Sequence, residues 1–146
     1  MIEKILNDKA FISTMQKHCY AVINRLLELK IEFCIVANTK FVEYAPALPE
    51  DLNPNKNPFA LFALAGYTFE SVQLQQDKIS FHAGFGPTDF ATFVSVDLGA
   101  ITQIQVENDI IFVNFSFYSR VDEKNLTQNS MNIFLNNPQN KDSLKK

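Results

Sequence analysis

Apolar side chains recur at Ile12, Met15, Cys19, Val22, Leu26 and Leu29, spaced alternately three and four apart. That spacing places them on one stripe of an amphipathic helix. Neither Gly nor Pro interrupts residues 3–30, so a helix is expected there. Ser13 and Thr14 are the candidate caps that would split it in two. The stripe needs cover, from the rest of the fold or from a second copy. Two or three heptads fall short of a coiled coil, and cover by a sheet is the commoner outcome.

After Lys30 the period changes. Ile31 to Ala37 is a short apolar, β-branched run and reads as a strand, and a second extended piece is expected over 41–44. Residues 46–58 hold Pro46, Pro49, Pro54 and Pro58 with Asn53, Asn55 and Asn57 between them, a loop that regular structure does not cross easily. Beyond it the strand signals come quickly: 59–65, 67–74, 79–85, 90–96, 101–106 and 110–117, with turns at Gln76-Asp77-Lys78, Gly86-Pro87-Thr88-Asp89 and Glu107-Asn108-Asp109. The pattern predicts a mainly β fold with an N-terminal α-helix, an antiparallel meander curling into a small barrel. No second long helix separates the strands, which argues against a parallel α/β sheet. One domain is expected over 1–135: helix 3–30, barrel 31–117 and a C-terminal extension 118–135. Met131, Ile133, Phe134 and Leu135 form a last apolar cluster, and 136–146 reads as a flexible tail.

Composition narrows the classes. With 146 residues, 47% of them hydrophobic, the chain is long enough for one core and too apolar for wholesale disorder. Its longest apolar run is far short of the roughly 18–20 residues of a transmembrane helix. The net charge of −3 argues against a general nucleic-acid binder. The N-terminus has no apolar signal region, and two cysteines are too few for a disulfide scaffold. A cytoplasmic protein with free thiols is therefore the expectation.

Catalytic signals are sparse. The two histidines are His18, in the helix, and His82, on the polar side of a strand. A Cys34–His82 nucleophile pair has no support in spacing, and a Cys within an apolar run reads as inert. No His-x-x-x-His, Cys-x-x-Cys or calcium-loop spacing is present, so no metal and no cofactor is expected. Asp89, Asp97, Glu107 and Asp109 fall at strand ends, where carboxylates are usually solvated turn residues. Gly84-Phe85-Gly86-Pro87 lacks the Lys-Ser/Thr ending of a phosphate loop. Fourteen Phe make the strands aromatic, but Lys78 is the only Lys or Arg between Phe59 and Phe117. Base stacking on such strands needs interleaved cations, so nucleic acid is not expected as a partner.

Three stretches resemble the stringent starvation protein B (SspB) family, bacterial adaptors of the ClpXP protease. Ile79-Ser80-Phe81-His82-Ala83-Gly84-Phe85-Gly86 is similar to the family's Phe-x-Ala-x-Phe-Gly strand. Val94-Ser95-Val96-Asp97-Leu98-Gly99-Ala100-Ile101 is similar to its Val-Ser-Val-x-Leu-x-Ala stretch and runs on to a like Glu107-Asn108 turn. The helix ending at Leu26-Leu27-Glu28-Leu29, followed by the strand from Phe33 to Ala37, matches the family's opening elements. Together they cover most of 18–117 in the same order. Where the family has a basic residue between Ala83 and Phe85, this chain has Gly84.

The resemblance implies a strongly bent antiparallel sheet of Sm-like type and a homodimer formed through the N-terminal helix, here Met15, Cys19, Val22 and Leu26. It implies a groove for C-terminal peptide tags of the kind that tmRNA adds. The matching groove residues are Ala65, Phe81, Ala83, Phe85 and Gly86, with Tyr67 and Phe69 as contributors. It further implies a C-terminal tether to a ClpX-type unfoldase, here Leu144, Lys145 and Lys146. No catalytic residue and no membrane is involved. An extended peptide lying along a strand edge suits the residue pattern. Two other classes remain open: a secretion or assembly chaperone that binds a longer partner segment, and a hot-dog-type acyl-CoA thioesterase. The thioesterase fold needs a long helix between strands.

Overall fold

The computed structural model describes residues 1–52, 56–87 and 89–119. The N-terminal helical region is broken once, between α1 (Ile2–Leu6) and α2 (Lys9–Glu28). The break is not at Ser13 and Thr14. Asp8 caps α2, its carboxylate accepting from the Phe11 N–H at 2.9 Å, and so satisfies one of the orphan donors of the first turn. Thr14 sits inside α2 and donates to the Ala10 carbonyl at 2.8 Å. At the other end Lys30 takes the left-handed conformation, φ 58°. The N–H groups of Lys30 and Ile31 return to the carbonyls of Leu27 and Leu26. This is a Schellman stop built on Lys rather than Gly.

Eight strands follow: β1 (Phe33–Asn38), β2 (Val42–Ala45), β3 (Phe59–Leu64), β4 (Gln73–Leu74), β5 (Lys78–Phe85), β6 (Phe90–Asp97), β7 (Ile101–Val106) and β8 (Asp109–Val113). They form two antiparallel four-stranded sheets. The first has the order β3-β1-β7-β8 and the second β2-β6-β5-β4. The protein is mainly β with an N-terminal helix. Its strands are divided between two hydrogen-bonded sheets rather than joined in one continuous ladder among the described residues.

Alternation decides which side chains enter the core. β1 reads buried and half-buried in turn, with Phe33, Ile35 and Ala37 inward, and β6 does the same with Thr92, Val94 and Val96. The inner faces of both sheets and the α2 residues Cys19, Ile23 and Leu26 belong to one buried cluster. Cys19 and Leu26, expected to face a second copy, are buried within a single chain. Met15 and Val22 pack against the same core half-buried. The stripe is thus covered in part by its own sheets, and Met15 and Val22 are the two of these four residues that keep exposed surface.

One expected strand is a helix. Residues 67–74 alternate like a strand, yet Tyr67–Glu70 forms the short helix α3, and only Gln73–Leu74 is extended. Gly66, at φ 58°, turns the chain out of β3. Its N–H donates to the Glu32 carboxylate at 2.7 Å, and its carbonyl receives the Glu70 N–H. Phe69 then turns inward against Phe33, edge to face. Two apolar residues over four positions do not distinguish one helical turn from a strand.

Two threonines hold the ends of the 46–58 loop. Thr92 donates to the Pro46 carbonyl at 2.6 Å and Thr39 to the Asn57 carbonyl at 2.6 Å; both side chains are buried. The apolar cluster at 131–135 and the rest of 120–146 lie outside the described residues.

The core reading carries a stability prediction. Ile35 is fully buried in the first sheet. Ile35→Ala is expected to lower the unfolding free energy by about 2–5 kcal/mol, the range for deleting a buried aliphatic chain. Urea titration of the two proteins measures the difference, and a loss below about 1 kcal/mol would place Ile35 outside a packed core.

Candidate functional site

The seven residues expected to line a peptide groove do not converge on one surface. Phe81 is fully buried, with its ring 5.8 Å from that of Phe62, and offers no area to a ligand. Ala83 and Phe85 lie on the same inner face of β5 but are half-buried towards its end. Phe85 packs edge to face against Tyr44 of β2 and Phe62 of β3. Tyr44, Phe62 and Phe85 therefore bring the two sheets together, and burial pushes the Tyr44 phenol up to about 12. Tyr67 is exposed and stands near His82, on the outer face of β5. It does not share a face with Phe85. Phe69 is drawn in against Phe33. Ala65 is exposed at the end of β3.

Gly86 is exposed, at φ 75°, where a glycine is favoured. The space above it is not open. A Cβ at this position would come within 2.5 Å of a Leu52 methyl. Leu52 belongs to the Pro/Asn-rich loop, so that loop covers the tip of the β5–β6 hairpin. Gly84 is similarly covered by the Asp89 carboxylate, which lies over its backbone. A carboxylate thus occupies the place where the resemblance would put a basic side chain.

The feature that sequence reasoning did not single out is the open edge of β3. β3 pairs with β1 on one side, in a register matching Asn38 with Phe59 and Phe33 with Leu64. The Thr39 N–H donates to the Pro58 carbonyl at 3.0 Å and continues that register by one residue. Hydrogen-bonded and non-bonded pairs alternate along an antiparallel ladder. Ala60, Phe62 and Leu64 therefore direct their N–H and C=O groups at β1, while Phe59, Leu61 and Ala63 direct theirs outward. No strand pairs with this edge among the described residues. β3 runs Phe-Ala-Leu-Phe-Ala-Leu, with no charge and no Pro to blunt it. Such an edge is a ready template for another strand. Its signal was the uncharged run itself, but a sequence does not say which strand lies at the margin of a sheet.

The Cys19 thiol is desolvated, which pushes its pKa up to about 12 and leaves it un-ionised at neutral pH. Cys34 lies on the outer face of β1, away from His82 on β5 of the other sheet. No group of three His, Cys, Asp or Glu able to hold a metal ion occurs among the described residues. No helix among them is long and apolar enough to cross a membrane.

The covered hairpin tip is directly testable. Gly86→Ala is expected to destabilise the chain by about 1–2 kcal/mol, because it forces a side chain into the left-handed region and against Leu52. The double variant Gly86→Ala with Leu52→Ala should recover part of that loss in thermal unfolding. No recovery would show that Leu52 does not rest on Gly86. No protein-family model matches this chain, and no curated protein matches it.

Proposed function

We propose that this chain is a non-catalytic peptide-binding adaptor of the SspB type, with its two sheets wrapped in the Sm-like manner. On this reading it works in the cytoplasm. It captures extended C-terminal tags of the tmRNA kind and delivers their bearers to a ClpX-type unfoldase. The observation that carries the reading is the edge of β3, uncharged and unpaired among the described residues. An extended tag adds there as a fifth strand, a recognised mode of peptide capture.

Magnitudes support a combined mode. Phe59, Leu61 and Ala63 offer six outward backbone groups in all. At about 0.5–1.5 kcal/mol net for each bond, a full ladder supplies about 3–9 kcal/mol before the cost of ordering the peptide. Micromolar affinity needs about 8 kcal/mol, so side-chain pockets must add to the ladder. The half-buried Ala83 and Phe85 and the exposed Ala65 are the groove residues of the original set that can contribute. Phe81 acts through the core alone. Tethering the adaptor raises the local concentration of substrate at the unfoldase without any chemistry. The tether residues Leu144, Lys145 and Lys146 lie outside the described residues.

Ala63→Pro tests the mode. It removes an outward N–H that the β3–β1 ladder does not use, and Pro is tolerated at such an edge position. Fluorescence anisotropy with a labelled tmRNA-tag peptide is expected to show micromolar or tighter binding by the native chain, and at least a tenfold loss in Ala63→Pro. Unchanged binding in the variant would overturn strand addition. Absence of binding to the native chain would overturn the adaptor reading.

A further inference from the structure

The inner face of the first sheet is core; its outer face is uncharged and exposed. Pairing sets Leu61 of β3 beside Val36 of β1, Val36 beside Gln103 of β7, and Gln103 beside Val113 of β8. None of the outward residues of β3, β1 and β7 is charged. Phe59, Leu61 and Ile110 are each more than half exposed. The amides on this face are partly satisfied already: Gln105 Nε2 donates to Gln103 Oε1 at 3.2 Å, and Asn38 Oδ1 accepts from the Lys40 N–H at 3.0 Å. Covering them therefore costs less than burying free amides. A continuous apolar surface of this kind marks a contact face. The chain itself arrives at its margin. The Phe117 N–H donates to the Leu6 carbonyl at 2.8 Å, and the Tyr118 hydroxyl donates to Asp97 at 2.7 Å. These bonds hold Phe115 and Phe117 beside Phe59 of β3, around a hollow of about 430 Å³.

We infer that residues 131–135 of the same chain pack on the outer face of the β3-β1-β7-β8 sheet. Three observations select this occupant. The first is charge. Residues 125–140 hold no Asp, Glu, Lys, Arg or His, and Met131, Ile133, Phe134 and Leu135 stand close together within them. Charge returns only at 120–124 and from Lys141 onward. An uncharged segment laid on an uncharged face strands no ion away from water. The second is reach. The chain passes Tyr118 at the margin of the face, and 13 residues separate Tyr118 from Met131. An extended connection of that length spans up to about 45 Å. A four-stranded face with six-residue strands measures only about 15 Å by 20 Å. The third is attachment. A segment tethered over such a connection acts at an effective concentration of about millimolar. A second copy at micromolar concentration would need an intrinsic contact about a thousandfold stronger to displace it. Side chains laid over a sheet face leave the backbone of its edge clear. The inference therefore concerns the face and not the β3 margin, and it does not depend on peptide binding.

Thiol labelling of the full chain tests it, because Cys34 lies within the face and Cys19 is buried in the core. In the native chain Cys34 is expected to label slowly, at a rate independent of concentration from nanomolar to micromolar protein. Ile133→Glu combined with Phe134→Glu charges two neighbouring positions, so a carboxylate meets the face whichever side of the segment rests on it. This double variant is expected to label at least tenfold faster, with unchanged far-ultraviolet circular dichroism. Ser143→Glu adds a charge outside the apolar cluster and is expected to keep the native rate. Nuclear Overhauser contacts give a second readout that needs no substitution: methyls of Ile133 or Leu135 are expected to lie close to those of Val36, Leu61 or Ile110. An unchanged rate in the double variant, or an absence of these methyl contacts, would overturn the inference. A native rate that rises on dilution would assign the cover to a second copy and overturn it too. So would Ser143→Glu labelling as fast as the double variant, since the effect would then belong to charge alone.

Discussion

Packing of the two inner sheet faces against each other and against the α2 stripe removes Ile35, Leu64, Phe81, Val94 and Ile104 from water. Each fully buried side chain of this size contributes about 1.5–3 kcal/mol relative to exposure. That shared core fixes the rest by alternation. Once Ile35 and Phe62 point inward, Val36 and Leu61 must point outward. A slip of one residue would exchange every inner side chain of a strand for an outer one. The core therefore also determines that β3 ends the first sheet with an uncharged edge and an uncharged outer face.

The arrangement separates three roles that a compact chain often merges. Phe81, although it sits in the middle of the most aromatic strand, is a core residue. Tyr44, Phe62 and Phe85 join the sheets. The outward groups of Phe59, Leu61 and Ala63 pair with no strand among the described residues, their backbone at the sheet margin and their side chains over the sheet face.

Much of this was legible in the sequence. The three-and-four spacing gave α2 its buried face, and the alternating runs at 79–85, 90–96 and 101–106 became β5, β6 and β7 close to their expected limits. The split at Asp8 was less visible, because Ser13 and Thr14 compete as caps on propensity alone; the observed cap is the residue whose carboxylate reaches Phe11. α3 was hidden by its length, since one helical turn carries no period. The candidate site was least legible. Phe59, Phe81 and Phe85 look alike as letters, but one is exposed, one buried and one half-buried. Their sorting depends on strand order and register, which are properties of contacts distant in sequence. The Leu52 cover over Gly86 and the Asp89 cover over Gly84 are likewise contacts in space.

Hydrogen exchange read amide by amide addresses the open edge most directly. In the chain alone, the outward N–H groups of Leu61 and Ala63 should exchange much faster than those of Phe62 and Leu64, which face β1. Addition of the tag peptide should slow Leu61 and Ala63 selectively, as a fifth strand takes up their hydrogen bonds. Equal protection of neighbouring β3 amides in the chain alone, or peptide-induced protection that spares Leu61 and Ala63, would contradict an open β3 edge as the binding site.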